Sequence, residues 1–291
     1  MDLEKLVVPD AVVALAHRYG QQEWLARLPA LVERFARQWS LDLEPAFTGL
    51  AGASWVAPAG VVDGVAAVLK VGMPSRESRT EAEGLRFFAG RGAVRLLRAD
   101  DDEFVLVEER CLPGHDLSAL DADAGNAVAA EVLRELWLPA PPPGRIESLA
   151  DLAEEWIGGF ARIEGYPHRV VDVAVAQAGE LAASQPELVV VHGDFNPGNV
   201  LRAERGWLAI DPKPLVGEPA YDLAQLLANR LGVFEASLSE AQLSRQVDSL
   251  VEALGLDRRR VLGWAVVKSL AWTWGAATAG VFASLLGVAA D

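Results

Sequence analysis

Sulfur is the first thing this chain lacks: Cys111 is the one cysteine among 291 residues. A lone thiol closes no internal disulfide and builds no cysteine metal cluster, so a reducing compartment, the cytoplasm, is expected. Histidine is also scarce, at four, and no H-E-x-x-H occurs. Metal chemistry then falls to oxygen ligands, which suit a hard ion such as magnesium. Positive charge is short as well: 26 Lys and Arg against 41 Asp and Glu leave a formal net charge of −15. No Lys/Arg-rich stripe offsets it, so nucleic acid and anionic lipid are not expected as partners. A cationic small molecule would be attracted, although an acidic surface also serves solubility alone.

Two nucleotide signatures are missing. There is no G-x-x-x-x-G-K-[ST] loop, and no G-x-G-x-x-G follows a strand. The opening residues MDLEKLVVPD carry three acids and no apolar stretch follows, so no signal peptide is expected. Ser269 to Ala290 has no charged residue over a length that could span a bilayer. That segment is rich in Ala, Gly, Ser and Thr and has no basic cluster on its C-terminal side. A buried pair of helices, broken near Gly275 or Gly280, is the preferred reading; a tail anchor over 269–290 is the alternative.

A content of 51% hydrophobic and 23% charged residues describes a globular chain, long enough for two packed lobes. Ala11 to Trp39 shows helical spacing (Leu25, Leu28, Leu31, Val32, Phe35), with Pro29 expected to divide it into two helices. Strands are expected at 54–57 and at 65–71, around the turn signal Asp63-Gly64, then at 94–98 and 103–108, with a helix over 80–89. After Pro113-Gly114 the pattern turns helical: an amphipathic stretch at 126–137, an extended Pro-rich loop at 139–144, and two helical stretches leading to Pro186. Strands first and helices afterwards is an α+β order, not an alternating βαβ one. Two lobes follow from it: residues 1–110, a helical extension plus a sheet, and residues 111–291, mainly helical.

The segment His192-Gly193-Asp194-Phe195-Asn196-Pro197-Gly198-Asn199 reads as a phosphoryl-transfer catalytic loop. Asp194 lies five residues before Asn199, the offset of H-R-D-L-x-x-x-N in kinases. That spacing lets the carboxylate face an acceptor hydroxyl while the amide oxygen turns back towards a metal. A polar surface loop that happens to contain these residues is the plainer alternative. Beyond it, 200–203 and 207–210 form an expected hairpin that returns Asp211 beside Asn199. Alone, Asp211 could be a helix cap; in this order it is a candidate magnesium ligand. Lys70 ends an apolar strand and is the candidate phosphate-binding lysine, with Glu81 or its competitor Glu83 as partner. Glu108-Glu109-Arg110 suits a hinge whose backbone reads adenine, or equally a charged linker. Thr48 to Trp55, with Ser54, could close over phosphates through backbone N–H groups.

At these residues the chain resembles the aminoglycoside phosphotransferase family, and most of all its streptomycin 6-kinase and hydroxyurea phosphotransferase branch. The motifs that carry the resemblance are VLKVGMP (68–74), EAEGLRFFAGRGAVRLL (81–97), LVEERCLPG (106–114), VHGDFNPGNVLRAERGWLAIDPKPLVGEPAYDLAQLLANR (191–230) and the region 258–264. The resemblance implies a two-lobed protein-kinase-like fold, ATP with Mg2+, and phosphorylation of a small-molecule hydroxyl. It implies Asp194 as catalytic base, Asn199 and Asp211 as metal ligands, Lys70 with Glu81 as the phosphate-positioning pair, and Asp222 as a buried structural aspartate. His192 supports the loop, and Lys213 stands where a protein kinase has the Gly of D-F-G.

Asp222 follows Asp211 by eleven positions, which leaves no room for an activation segment, so protein substrates are not expected. The family's antibiotics are cationic, and Glu218, Glu154 and Glu155 are candidate carboxylates for such an acceptor. Streptomycin or hydroxyurea is the expected acceptor, in an antibiotic-resistance role, and a monomer or weak dimer is expected. A metabolic sugar or amino-alcohol kinase of the same fold and a non-catalytic nucleotide-binding protein are the alternatives.

Overall fold

The computed structural model describes residues 6–48, 52–140, 144, 146–160, 162–231, 238–272 and 275–288. The chain divides into two compact units, residues 1–114 with 203–206, and residues 115–202 with 207–291.

In the first unit, helices α1 (Asp10–Arg18) and α2 (Gln22–Gln38) precede a four-stranded antiparallel sheet. Its strands are β1 (Ser54–Val62), β2 (Val65–Gly72), β3 (Leu96–Asp100) and β4 (Val105–Glu109), in the order β1-β2-β4-β3, with helix α3 (Ser78–Phe88) between β2 and β3. Asp63 and Gly64 take φ of 50° and 81°, so the Asp-Gly pair makes the left-handed two-residue turn that matches strand twist. The expected division at Pro29 is not where the helices part. Pro29 lies inside α2, because Trp24, Leu28, Leu31, Val32 and Phe35 are all buried along one stripe. Each such side chain gains about 1.5–3 kcal/mol on burial, which together outweighs the ~3 kcal/mol of an interior proline. The helices separate instead at Gly20, whose φ of 70° suits a residue without Cβ. The stripe packs against Trp55, Ala57, Leu69, Val71, Val105 and Val107, one face of the sheet.

In the second unit, helix α4 (Ala122–Leu136) leads into a small sheet of β5 (Leu138–Pro139), β6 (Glu147–Ser148), β7 (Val189–Val191) and β10 (Leu215–Gly217), ordered β5-β7-β10-β6. Helices α5 (Leu149–Phe160) and α6 (His168–Ala183) lie between β6 and β7, and the hairpin β8 (Val200–Ala203) and β9 (Gly206–Ala209) follows β7. Then come α7 (Ala220–Asn229), α8 (Glu240–Leu254), α9 (Arg258–Ala271) and α10 (Ala276–Leu285). Helix α9 is buried without interruption from Val261 to Leu270 and packs against α6, α7 and α10. A helix apolar on every side belongs in the centre of a core. This accounts for the charge-free segment: α9 ends, Gly275 takes φ of 96°, and α10 begins. Among the described residues no helix is long and apolar enough to cross a membrane, so the tail-anchor reading finds no helix to carry it.

Candidate active site

The first unit carries Ser54, Lys70, Glu81, Glu108, Glu109 and Arg110. Strand β2 alternates: Leu69 and Val71 face the core, and Lys70 points the other way. Register puts Val56 and Leu106 opposite Lys70, Gly72 opposite Ser54 and Val68 opposite Glu108, so Ser54, Lys70 and Glu108 share one face. Lys70 and Glu81 are 8% and 5% exposed, and the Lys70 ammonium ion-pairs with the Glu81 carboxylate. Helical geometry decides between the competitors, since Glu81 opens the buried side of α3 with Ala82 and Leu85. The hinge candidates separate. Glu109 lies on the opposite face from Glu108, and its two oxygens take Arg205 Nε and Nη2 at 2.8 and 2.7 Å. Burial raises the Glu109 carboxyl, but the Arg205 guanidinium and the Arg95 N–H outweigh it and leave it below the ordinary glutamate range. The N–H groups of Glu109 and Arg110 already donate to the Arg95 and Ala66 carbonyls, so neither N–H is left to read a base. The Arg110 side chain reaches Glu44 at 3.5 Å. Of the Thr48–Trp55 loop, residues 49–51 lie outside the described residues, and Ser54 opens β1.

The second unit holds the loop. Fully buried β7 ends at Val191, and the chain turns over the N-terminal turn of α7. There the Asp222 oxygens accept from the His192 and Gly193 N–H groups, both at 2.8 Å, and from Trp137 Nε1 at 3.1 Å. Asp222 is 0% exposed; burial pushes its carboxyl up, while these donors and His192 oppose that rise. Burial pushes the His192 imidazole down from its ordinary range, so the ring is neutral. Its Nε2–H donates to the Ile210 carbonyl at 3.0 Å, and Nδ1 accepts the Asp194 N–H at 3.3 Å. Gly193 has φ of 83°, and a Cβ there would lie 1.9 Å from the Lys213 carbonyl oxygen, so only glycine fits.

Asp194 is 8% exposed, and its carboxylate is held from two sides. Lys213 Nζ lies 2.5 Å from Oδ2, and Gln225 Nε2 donates to Oδ1 at 2.6 Å. Asn199 Nδ2 donates to the Asp194 carbonyl at 3.0 Å, which leaves its amide oxygen as the atom to offer a cation. The Ile210 N–H donates to the Asn199 carbonyl at 2.9 Å, so hairpin β8–β9 returns Asp211 beside Asn199, with Asp211 at φ of 57°. Asn199 and Asp211 offer the oxygen donors a magnesium ion takes. Among the described residues no group of three or more His, Cys, Asp or Glu is placed to hold a metal.

The aminoglycoside/hydroxyurea antibiotic resistance kinases match this chain over residues 42–279. The chain belongs to that family. A streptomycin 6-kinase of Streptomyces glaucescens is 37% identical over 91% of this chain and 89% of its own length. A hydroxyurea phosphotransferase of Kitasatospora aureofaciens is 34% identical over 91% of this chain and 79% of its own length. Among solved structures, a thermostable aminoglycoside phosphotransferase mutant in complex with ADP and hygromycin B aligns with a TM-score of 0.61 at 18% identity, covering 89% of this chain and 98% of that one. A choline/ethanolamine kinase family protein from Mesorhizobium loti aligns with a TM-score of 0.60 at 20% identity, covering 87% and 83%. Likeness at such identities speaks for the fold, which is protein-kinase-like, and the family makes this chain a small-molecule phosphotransferase.

In this antibiotic resistance kinase the three candidate acceptor carboxylates part company. Glu218 is 1% exposed, and its oxygens take Arg260 Nε and Nη2 at 2.5 and 2.6 Å and Trp264 Nε1 at 2.6 Å. It is an internal ion pair with its charge already matched. Glu154 and Glu155 are exposed on α5. Two residues next to the loop have no part in the motif reading. Gln225 was open to discovery, because it stands three residues after Asp222 and therefore one turn along the same side of α7. Lys268 gave no local signal. It is 0% exposed, donates to Tyr221 Oη at 2.8 Å and the Gly193 carbonyl at 3.3 Å, and lies 4.4 Å from the Tyr221 ring centre.

Proposed function

We propose that this kinase moves the γ-phosphoryl group of ATP to a hydroxyl of an aminoglycoside such as streptomycin, or of hydroxyurea. The observation that carries the reading is the Asp194 carboxylate, fixed at both oxygens within hydrogen-bond reach of Asn199. Asp194 accepts the proton of the acceptor hydroxyl as its oxygen bonds to the γ-phosphorus and the bond to the β–γ bridging oxygen breaks. Lys70, steadied by Glu81, binds the nonreacting phosphates. Asn199 and Asp211 would hold Mg2+, which would neutralise charge on the phosphate oxygens. For the acceptor, the reading rests on relatives named as streptomycin 6-kinase and hydroxyurea phosphotransferase at 34–37% identity. A net charge of −15 favours a cationic acceptor.

An ADP-release screen with MgATP over streptomycin, other aminoglycosides, hydroxyurea, simple sugars and amino alcohols tests it. Turnover with streptomycin or hydroxyurea, lost in Asp194→Ala, is the expected result. Turnover confined to a sugar or amino alcohol would overturn the acceptor assignment, and indifference to Asp194→Ala would overturn the role of the base.

A further inference from the structure

Gln225 is 1% exposed, and the two edges of its amide are in very different situations. Nε2 donates to Asp194 Oδ1 at 2.6 Å. Only the NH2 edge can face an ionised carboxylate, which accepts and does not donate, so chemistry sets the orientation. Oε1, on the other edge, is sealed from solvent without a hydrogen-bond partner among the described residues. A buried acceptor left unsatisfied destabilises a fold, and an apolar side chain of the same length would avoid that penalty. Stability therefore does not explain a glutamine here; its contact with Asp194 does. Asn196 reaches the same Oδ1 only at 3.4 Å, so Gln225 is the close donor to that oxygen, as Lys213 is to Oδ2 at 2.5 Å. A carboxylate with one short donor on each oxygen has its plane fixed, and a base needs that in order to meet a hydroxyl in line with the phosphorus.

We infer that Gln225 is a positioning residue for phosphoryl transfer, holding Oδ1 of Asp194 so that the carboxylate presents one orientation to the acceptor. The inference rests on the reading of Asp194 as the base. It also explains why α7 carries Asp222 and Gln225 one turn apart: the first holds the loop backbone and the second the carboxylate that the loop presents.

Gln225→Met and Gln225→Leu test it in the full chain, with melting temperature and ADP release from MgATP measured side by side. Release is followed with streptomycin as acceptor and, separately, as background hydrolysis with water as acceptor. The expected result is a kcat lower by about 10–100-fold in both variants, with KM for MgATP within about twofold and a melting temperature unchanged or raised. An unchanged kcat overturns the inference. So does a melting temperature that falls with kcat in both variants, because that is the signature of a structural glutamine. Asp194→Ala is run alongside. If it retains activity the assignment of the base falls, and if the parent chain releases no ADP with streptomycin the acceptor assignment falls; both outcomes are distinct from a Gln225 variant that behaves like the parent.

Discussion

Glu218, the residue after β10, and Arg260, in the first turn of α9, form a bidentate ion pair with N–O separations of 2.5 and 2.6 Å. Glu218 is 1% exposed, so removing the guanidinium strands a buried carboxylate. Arg260→Ala should lose about 3 kcal/mol of stability and lower the melting temperature by about 6–12 °C. KM for any acceptor should stay unchanged in the folded fraction. A selective rise in acceptor KM without loss of stability would return Glu218 to the acceptor site.

Lys213 bonds to the loop twice, through its N–H to the His192 carbonyl at 2.8 Å and through Nζ to Asp194. Lys213→Met keeps the backbone bond and removes the charge. Its kcat should fall by about 10–100-fold, less than the ~10²–10⁴-fold expected for Asp194→Ala. Steady-state ADP release on the two variants gives the comparison.

Glu81 pairs with Lys70 and Glu83 does not take that place. Glu81→Ala should therefore raise KM for MgATP by about tenfold, the equivalent of roughly 1.4 kcal/mol, while Glu83→Ala leaves it unchanged. Equal effects of the two substitutions would remove the pair from nucleotide binding.

Glu109 carries a sign that acid titration can read. Its carboxyl is held below the ordinary value of 4.5 despite burial, because Arg205 and the Arg95 N–H stabilise the charged form. A carboxyl with a depressed folded pKa contributes its stability above the unfolded value and loses it as the pH falls through the folded one. Stability should thus decline below about pH 4.5, and Glu109→Gln should flatten part of that slope. Urea unfolding at a series of pH values measures it.

Much of this was legible because it is local. Asp194 and Asn199 are five residues apart in one loop, and a tight hairpin brings Asp211 back beside them, so spacing alone implies the arrangement. The Asp63-Gly64 turn is of the same kind, since its geometry depends on two residues. Pro29 escapes local rules, which weigh the missing N–H and cannot see the apolar stripe that α2 lays on the sheet.

Residue order alone gives the succession of lysine, glutamate, aspartate, asparagine and aspartate, and the α+β arrangement that carries them. Which glutamate joins Lys70, why Glu218 turns inward to Arg260, and that Gln225 and Lys213 close on the Asp194 carboxylate were decided only by tertiary structure. Pairs such as Asp194–Gln225 are 31 residues apart and meet only because α7 packs beneath the loop. Side-chain spacing informs on neighbours within a turn or a hairpin; contacts between elements depend on how whole faces are buried, and burial is a property of the packed chain.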